Sequence, residues 1–276
     1  MHTGKVVIAG AGPGDPELLT LKAAAWLHAA DVILTDRLVS ERILQRYANP
    51  IAEIIFVGKE GRKNGSTPQN KINELLVQYA AQGKLVVRLK GGDISVFSNI
   101  LDELETLRAN NIPYELVPGI TAAAGAAAYS GIPLTARGHS NGLRVLTYYH
   151  SDVHDDAYWY ELAGTNDTLV FYMSGETLHE LAGHLLRHGI DTTKSVAIVE
   201  QATTPYQRVF TTTFAQLKTG NAKKDFVSPT LLIIGNVVNL HERFAWLPDS
   251  TEAKSYFPYA AGGALHKTIV SLSKTN

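Results

Sequence analysis

Val6-Val7-Ile8-Ala9-Gly10-Ala11-Gly12-Pro13-Gly14-Asp15 is an apolar run that enters a glycine-rich turn, and an amphipathic helix is predicted to follow at 16–28. Glycine permits positive φ and lets a ligand approach the backbone closely. The turn is not a dinucleotide loop, because G-x-G-x-x-G needs a third glycine where Asp15 stands and an aspartate would repel a pyrophosphate. Pro13 also removes an N–H that a phosphate cradle would use. The turn therefore suits a ligand without phosphates.

Two further predicted strands end in the same way. The strand at 85–89 leads into Lys90-Gly91-Gly92-Asp93, and the strand at 114–117 leads into Pro118-Gly119-Ile120-Thr121. Ligands of open α/β sheets bind beyond the carboxyl ends of the strands. We therefore expect the three glycine-bearing strand ends to face one site.

Composition limits the class of protein. The chain has 276 residues, 45% of them hydrophobic, and a net charge of -1, so it is long enough for one large domain or two modest ones. It carries no overall basic field to attract nucleic acid, and without cysteine it has no disulfide, thiolate metal site or cysteine nucleophile. No apolar run reaches the roughly 18 residues of a membrane helix, and the first residues lead straight into a predicted strand, so no secretion signal is expected. These features predict a cytoplasmic protein without a nucleic-acid or membrane partner.

Strand and helix signals alternate along the chain, which predicts an α/β protein. Strands are expected at 5–9, 32–35, 53–57, 85–89, 114–117, 143–149, 169–173, 196–200, 208–213 and 231–234. Besides the helix at 16–28, helices are expected from Thr67-Pro68 to Gly83, at 121–129 and at 178–187. A further helix is expected after the strand at 85–89, running through residue 107. The Gly, Pro, Ser and Asn content of 131–142 predicts a junction between an N-terminal domain, 1–136, and a C-terminal domain, 137–248, with a mixed sheet in the second. Residues 249–276 are expected to form a loosely ordered tail.

Two histidine-bearing segments resemble metal sites. We interpret residues 150–156, His-Ser-Asp-Val-His-Asp-Asp, as a polar loop that leads into a helix. His184 and His188 lie one turn apart, but they lack the adjacent glutamate of a metalloprotease motif and are predicted to point away from the apolar face of their helix. No metal is predicted.

Six motifs occur in the order that is typical of one family. They are Gly10-Ala11-Gly12-Pro13-Gly14-Asp15 with Leu18-Leu19-Thr20-Leu21-Lys22, Asp36-Arg37-Leu38-Val39, Val57-Gly58-Lys59, Thr67-Pro68-Gln69-Asn70, Val87-Arg88-Leu89-Lys90-Gly91-Gly92-Asp93 and Val117-Pro118-Gly119-Ile120-Thr121. With these motifs, the chain from about Lys5 to Trp246 closely resembles the tetrapyrrole methylases.

The resemblance implies a fold and an activity. It implies two α/β domains with an active-site cleft between them, a homodimer, and S-adenosylmethionine-dependent methylation of uroporphyrinogen III to precorrin-2 through precorrin-1, with S-adenosylhomocysteine as product. There are three alternatives: a later precorrin methylase, a relative acting on ribosomal RNA or diphthamide, and a non-catalytic protein that binds a tetrapyrrole or S-adenosylmethionine. An RNA-binding relative needs a basic stripe, which this sequence lacks.

The resemblance also assigns site residues. It places around S-adenosylmethionine the residues Pro13, Gly91, Gly92, Asp93, Val96, Thr121, Ala122, Met173 and Ala202. Asp36 is the implied proton acceptor and Lys59 the implied donor, since a methylated pyrrole must lose a proton and a positioned carboxylate can take it. Both residues, with Asp93, argue against a non-catalytic protein. The basic residues expected to receive substrate carboxylates are Arg37, Arg62 and Arg137, with Lys59, Lys63 and His139 nearby.

One stretch departs from the family pattern. After Gly-Gly-Asp the family usually continues with Pro and then Phe-x-Phe-Gly-Arg-Gly-Gly-Glu, whereas this chain continues Ile94-Ser95-Val96-Phe97-Ser98-Asn99-Ile100-Leu101. Losing the glycines favours an earlier helix start with Ser98 or Asn99 as N-cap. Because Asn99 replaces the arginine, the substrate is expected to bind more weakly unless another basic residue, such as Arg137, compensates.

Overall fold

The computed structural model describes residues 4–57, 67–219 and 225–257, which form two compact units. The N-terminal unit runs to Ala122 and includes Phe257, and the C-terminal unit runs from Ala123 to Tyr256. The units divide before the expected junction at 131–142, because Ala123 and Ala126 pack in one apolar cluster with strands of the C-terminal sheet. The helix at this point therefore belongs to the C-terminal unit.

The N-terminal unit is built on a parallel sheet. Its strands are β1 (Lys5–Gly10), β2 (Val32–Thr35), β3 (Glu53–Phe56), β4 (Leu85–Lys90) and β5 (Tyr114–Val117). They lie in the order β3-β2-β4-β1-β5, and all pairings are parallel. The central strands β1, β2 and β4 are almost entirely buried, which fits their near-continuous apolar sequences. Each predicted strand is confirmed to within one residue.

Helices cover this sheet. They are α1 (Leu21–Ala29), α2 (Glu41–Tyr47), α3 (Gln69–Ala81) and α4 (Leu101–Ala109). The single helix predicted at 16–28 is wrong in one respect: a 3-10 helix at Pro16–Leu18 precedes α1, and extended residues separate the two. Thr20 then caps α1 by accepting a hydrogen bond from the backbone N–H of Ala23 at 3.2 Å.

The start of α4 also differs from the prediction. Its N-cap is Ile100, without a side-chain cap, so neither Ser98 nor Asn99 begins the helix. Phe97 and Asn99 both adopt a φ of 51°. A residue with positive φ cannot belong to a right-handed helix, so this segment keeps a turn although its sequence has lost the family's glycines.

The C-terminal unit carries a mixed sheet, as predicted. Its strands are β6 (Leu143–Thr147), β7 (Thr168–Tyr172), β8 (Ser195–Glu200), β9 (Arg208–Thr213) and β10 (Thr230–Ile234). They lie in the order β6-β7-β10-β8-β9; β6 pairs with β7 in parallel and the other pairs are antiparallel. Its helices are α5 (Ala122–Ser130), α6 (Asp156–Gly164), α7 (Leu178–Arg187), α8 (Phe214–Lys218) and α9 (His241–Phe244), with a 3-10 helix at Asn236–Leu240.

The histidines near α7 form aromatic contacts. His184 stacks on the buried ring of Trp159, with 4.5 Å between ring centroids. The prediction that His184 points away from the apolar side of α7 is therefore wrong. His188 contacts Asp156 at 3.0 Å. No group of three or more His, Asp or Glu side chains in the described part of the chain is placed to hold a metal ion.

The segment after residue 248 is anchored where the structure describes it. Asp249 accepts a hydrogen bond from the backbone N–H of Val209 at 2.9 Å, and the carbonyl of Lys254 accepts one from Gln201 at 2.8 Å. These bonds fasten the first residues of the expected tail to the C-terminal unit. Among the described helices, none has both the length and the apolar character needed to cross a membrane.

Candidate active site

The three glycine-bearing strand ends meet at the carboxyl edge of the parallel sheet. Gly12 donates its N–H to the carbonyl of Gly92 at 3.0 Å, and Gly92 donates its own to Gly12 at 2.8 Å. Gly119, beyond β5, donates to the Asp93 carboxylate at 2.9 Å. The three ends therefore come together, as a site shared by them requires.

The strand ends can lie this close because glycine has no side chain. A Cβ at Gly119 would stand 2.3 Å from the carbonyl oxygen of Gly92, and one at Gly10 would stand 2.6 Å from the same oxygen. Gly92 itself has a φ of +69°, and a Cβ there would reach only the N atom of Ala122, at 4.0 Å. The backbone at Gly92 thus adjoins open space where a ligand can contact it.

Asp93, a residue that is 7% exposed, organises this edge through its carboxylate. One oxygen accepts from the N–H of Ser95 at 2.8 Å and also from the Ser95 hydroxyl, and the other accepts from Gly119. Burial raises the pKa of Asp93, but the hydrogen bonds from Ser95 and Gly119 outweigh burial and hold it below its usual value. Asp93 therefore fastens the end of β4 to the segment after β5.

Asp36 stands at the same edge, directly after β2. Its Oδ1 accepts a hydrogen bond from Nη2 of Arg88 at 2.6 Å, and its side chain is 28% exposed. Arg88 also donates from Nε to Glu103 at 2.9 Å, and Lys90 donates to Glu103 at 3.1 Å. A carboxylate, a guanidinium, a second carboxylate and an ammonium thus form one connected chain of charges.

Three of these four charged side chains are buried. The side chains of Arg88, Lys90 and Glu103 are 3%, 6% and 0% exposed. Burial lowers the pKa of Arg88, but the adjacent Asp36 and Glu103 outweigh burial and raise it. Burial and the nearby Arg88 lower the pKa of Lys90. Sequence reasoning missed this cluster, although two cations inside the apolar strand Leu85–Lys90 were a signal that buried partners were needed.

The other residues expected in the N-terminal unit fall into two groups. Those that the structure describes are half-buried, namely Pro13, Arg37, Gly91, Val96, Thr121 and Ala122. A Cβ at Gly91 would be 3.0 Å from the Cβ of Leu38, so the turn after Asp36 packs against the end of β4. Lys59, Arg62 and Lys63 lie outside the described residues.

Met173 and Ala202 follow β7 and β8 in the C-terminal unit. Both strands run antiparallel to β10, so Met173 and Ala202 follow strand ends at the same edge of that sheet. Met173 has a φ of 57° and accepts a hydrogen bond at its sulfur from the Tyr149 hydroxyl at 2.9 Å, and Ala202 lies between Gln201 (φ 47°) and Thr203 (φ 65°). Non-glycine residues with a positive φ are strained, and such strain concentrates at functional sites.

Comparison with known proteins settles the family. Residues 5–218 match the family profile of Tetrapyrrole (Corrin/Porphyrin) Methylases. The chain belongs to the tetrapyrrole methylase family. Its glycine-bearing strand ends and Asp36 thus lie within the matched region of a tetrapyrrole methylase.

Curated tetrapyrrole methylase relatives are longer than this chain. It is 46% identical over 250 residues to a siroheme synthase of Stutzerimonas stutzeri, covering 91% of this chain and 53% of that protein. A siroheme synthase of Nitrosomonas europaea gives the same identity, with 91% and 52% coverage. The chain thus spans about half the length of the curated relatives it matches.

Solved tetrapyrrole methylases share the fold. Uroporphyrin III C-methyl transferase from Thermus thermophilus is 37% identical, with a TM-score of 0.72, over 86% of this chain and 100% of that chain. A second structure of the Thermus enzyme is complexed with S-adenyl homocysteine. A cobalt precorrin-4 methyltransferase is 25% identical, with a TM-score of 0.74, over 85% of this chain and 95% of that chain. These likenesses confirm the predicted α/β fold.

Proposed function

We propose that the chain transfers methyl groups from S-adenosylmethionine to uroporphyrinogen III, giving precorrin-2 through precorrin-1. The observation that carries the proposal is the meeting of Asp36 and the glycine-bearing strand ends at one sheet edge, in a chain 37% identical to a uroporphyrin III C-methyl transferase. The product would serve sirohaem or cobalamin synthesis.

The N-terminal residues fit the methyl donor. S-adenosylmethionine, when bound, supplies an electrophilic methyl group. The open space beside Gly92 allows backbone contact. Thr121 offers a polar group in the segment whose Ala122 nitrogen lies 4.0 Å from a Cβ built at Gly92. Pro13 and Val96 add half-buried apolar surface. Met173 and Ala202 are proposed as further contacts from the C-terminal unit.

The role proposed for Asp93 follows from its hydrogen bonds. Both of its oxygens already accept hydrogen bonds from Ser95 and Gly119. We therefore infer that Asp93 acts on the cofactor mainly by holding the glycine turns in place, although each carboxylate oxygen can accept more than one hydrogen bond.

Asp36 is the proposed proton acceptor. Arg88 holds Oδ1, and Oδ2 has no hydrogen-bond partner among residues 4–57, 67–219 and 225–257. A partly exposed carboxylate with one anchored oxygen can take a proton from the methylated ring. Lys59 remains the proposed donor. Arg37, Arg62 and Arg137 remain proposed partners for the substrate's carboxylates.

A later precorrin methylase is the second candidate. The cobalt precorrin-4 methyltransferase matches the fold as well as the Thermus enzyme does. Asn99, where the family carries arginine, also changes the part of the chain expected to meet a substrate carboxylate.

Product analysis separates the two candidates. The purified chain is incubated with S-adenosylmethionine and uroporphyrinogen III without oxygen, and products are identified by mass spectrometry, with Asp36→Asn as control. A dimethylated product in the parent, formed much more slowly by Asp36→Asn, supports the proposal. Methylation of a later precorrin but not of uroporphyrinogen III favours the second candidate, and S-adenosylhomocysteine binding without any methylation favours a binding protein.

The homodimer and the cytoplasmic location stay predictions. Light scattering on the purified chain measures the first, because a dimer of this 30.0 kDa chain has twice its mass. Fractionation of cells that express the chain measures the second.

A further inference from the structure

We propose that Arg88 is a positioning residue for methyl transfer, which orients the carboxylate of Asp36 toward the substrate proton, and that Glu103 in turn holds Arg88. This inference rests on the proposed role of Asp36 as proton acceptor. It adds a buried set of residues on β4 and α4 to a site otherwise built from loops.

The guanidinium of Arg88 is bonded at each of its nitrogens. Nη2 donates to Asp36 at 2.6 Å and Nε donates to Glu103 at 2.9 Å. Nη1 donates to the carbonyls of Leu34 and Leu89 at 3.4 and 3.3 Å. Since the guanidinium is planar and its donors diverge at fixed angles, these bonds fix the direction from which Asp36 is held.

Asp36 needs such a partner because it lies in a turn. Its backbone N–H donates to Leu89 at 3.2 Å and its carbonyl accepts from Val39 at 3.2 Å, which position the main chain but leave the carboxylate free to rotate. The bond from Arg88 to Oδ1 removes that freedom and leaves Oδ2 for the substrate. Proton transfer depends on such alignment, since a misplacement of about 1 Å can cost roughly a hundredfold in rate.

Glu103 makes the buried arginine tolerable. It is fully buried on α4 and accepts from both Arg88 and Lys90. Without it, Asp36 would be the one carboxylate paired with these two buried cations among the described residues, and an uncompensated buried charge is strongly destabilising. Glu103 therefore compensates the buried charge of Arg88 and holds its guanidinium in place beside Asp36.

A double-mutant cycle tests the proposal. Methyl transfer is measured for the parent, Arg88→Met, Asp36→Asn and the double variant, with calorimetry of S-adenosylhomocysteine binding and a thermal melt for each. Arg88→Met should lower kcat by roughly a hundredfold while KM and the affinity for S-adenosylhomocysteine stay near parental values. In the Asp36→Asn background the same change should have little further effect on kcat, because the carboxylate it positions is gone. Arg88→Lys should restore part of the rate.

Two further variants keep the test decisive. Glu103→Gln preserves the shape of the side chain and should lower kcat in the parent background but not in the Asp36→Asn background. It replaces Arg88→Met in the double-mutant cycle if Arg88→Met does not fold. Arg108→Met, an exposed arginine of α4, is the matched control and should leave kcat unchanged in both backgrounds. The role of Arg88 is overturned if the double variant loses the product of the two single-variant losses in kcat. It is also overturned if Arg88→Met changes the melting temperature but not kcat. If the folded parent methylates no tetrapyrrole at all, the proposed function itself fails.

Discussion

The packing of the three strand ends makes Gly119 the most informative glycine to change. In Gly119→Ala the new Cβ would lie 2.3 Å from the Gly92 carbonyl oxygen, whereas real Cβ atoms essentially never come within 3.0 Å, so the strand ends must separate by about 0.7 Å. The atoms it meets are backbone atoms of Gly92 and Gly10, so no side chain can rotate away. Overpacking of this kind costs about 1–3 kcal/mol, and it also pulls the Gly119 N–H away from Asp93.

This prediction concerns both stability and binding. Thermal or denaturant unfolding should show the lost 1–3 kcal/mol, and calorimetry should show S-adenosylhomocysteine binding weakened by roughly tenfold, since a shift near 1 Å disturbs an aligned site. The matched control is Gly183→Ala, inside α7 with no atom within 4 Å of the new Cβ. It should gain about 0.5–1 kcal/mol and bind S-adenosylhomocysteine like the parent. Parental stability and affinity in Gly119→Ala would refute the described packing of these ends.

Three further substitutions test separate parts of the account. Asp93→Ala leaves the Gly119 N–H without its acceptor, so it should cost about 1–3 kcal/mol of stability and weaken S-adenosylhomocysteine binding roughly ten- to hundredfold; calorimetry with unchanged affinity removes Asp93 from the site. Asn99→Arg restores the family's cation and should lower the Michaelis constant for uroporphyrinogen III, whereas no change or a rise means that position 99 does not face the substrate. Hydrogen bonds from Lys22 and then Lys5 lower the pKa of Glu115 from 4.5 to about 2. A carboxyl with a depressed folded pKa contributes stability above its unfolded pKa and loses it as pH falls, so Glu115→Gln should flatten the loss of stability between pH 4.5 and about 2. Thermal melts at a series of pH values measure this. If the stability of Glu115→Gln falls with pH as steeply as that of the parent, the assignment is wrong.

Local patterns predicted most of the fold. The apolar strands of both sheets and the helix α7 lie within two residues of their predicted bounds, because their buried side chains repeat at strand or helix spacing. The helix break before Thr20 and the short helix α2 were missed. Thr20 caps α1 in the middle of the predicted helix, and α2, with seven residues, buries Ile43 and Leu44 and so shows little helical repeat. The Ser98 or Asn99 cap was wrong because Phe97 and Asn99 both take a positive φ, and a phenylalanine gives no sequence signal for such a turn.

The site was predictable only where it follows strand ends. Asp36 and the glycines of β1, β4 and β5 stand where parallel strands finish, so their meeting follows from topology. The pairing of Arg88 with Glu103 spans 15 residues and joins a strand to a helix. No sequence pattern states which buried cation meets which buried acid, so this part of the site needed coordinates.

Single-turnover methyl transfer by Asp36→Asn tests the central claim most directly. The enzyme variant is loaded with labelled S-adenosylmethionine, mixed with uroporphyrinogen III, and the label in the tetrapyrrole is followed in time beside the parent. If Asp36 takes the proton, the variant should bind S-adenosylhomocysteine with parental affinity and transfer the methyl group more slowly by roughly a hundredfold or more, the usual scale of general acid–base help. Transfer at the parental rate would contradict this role, because Asp36 would then serve only as the ion-pair partner of Arg88.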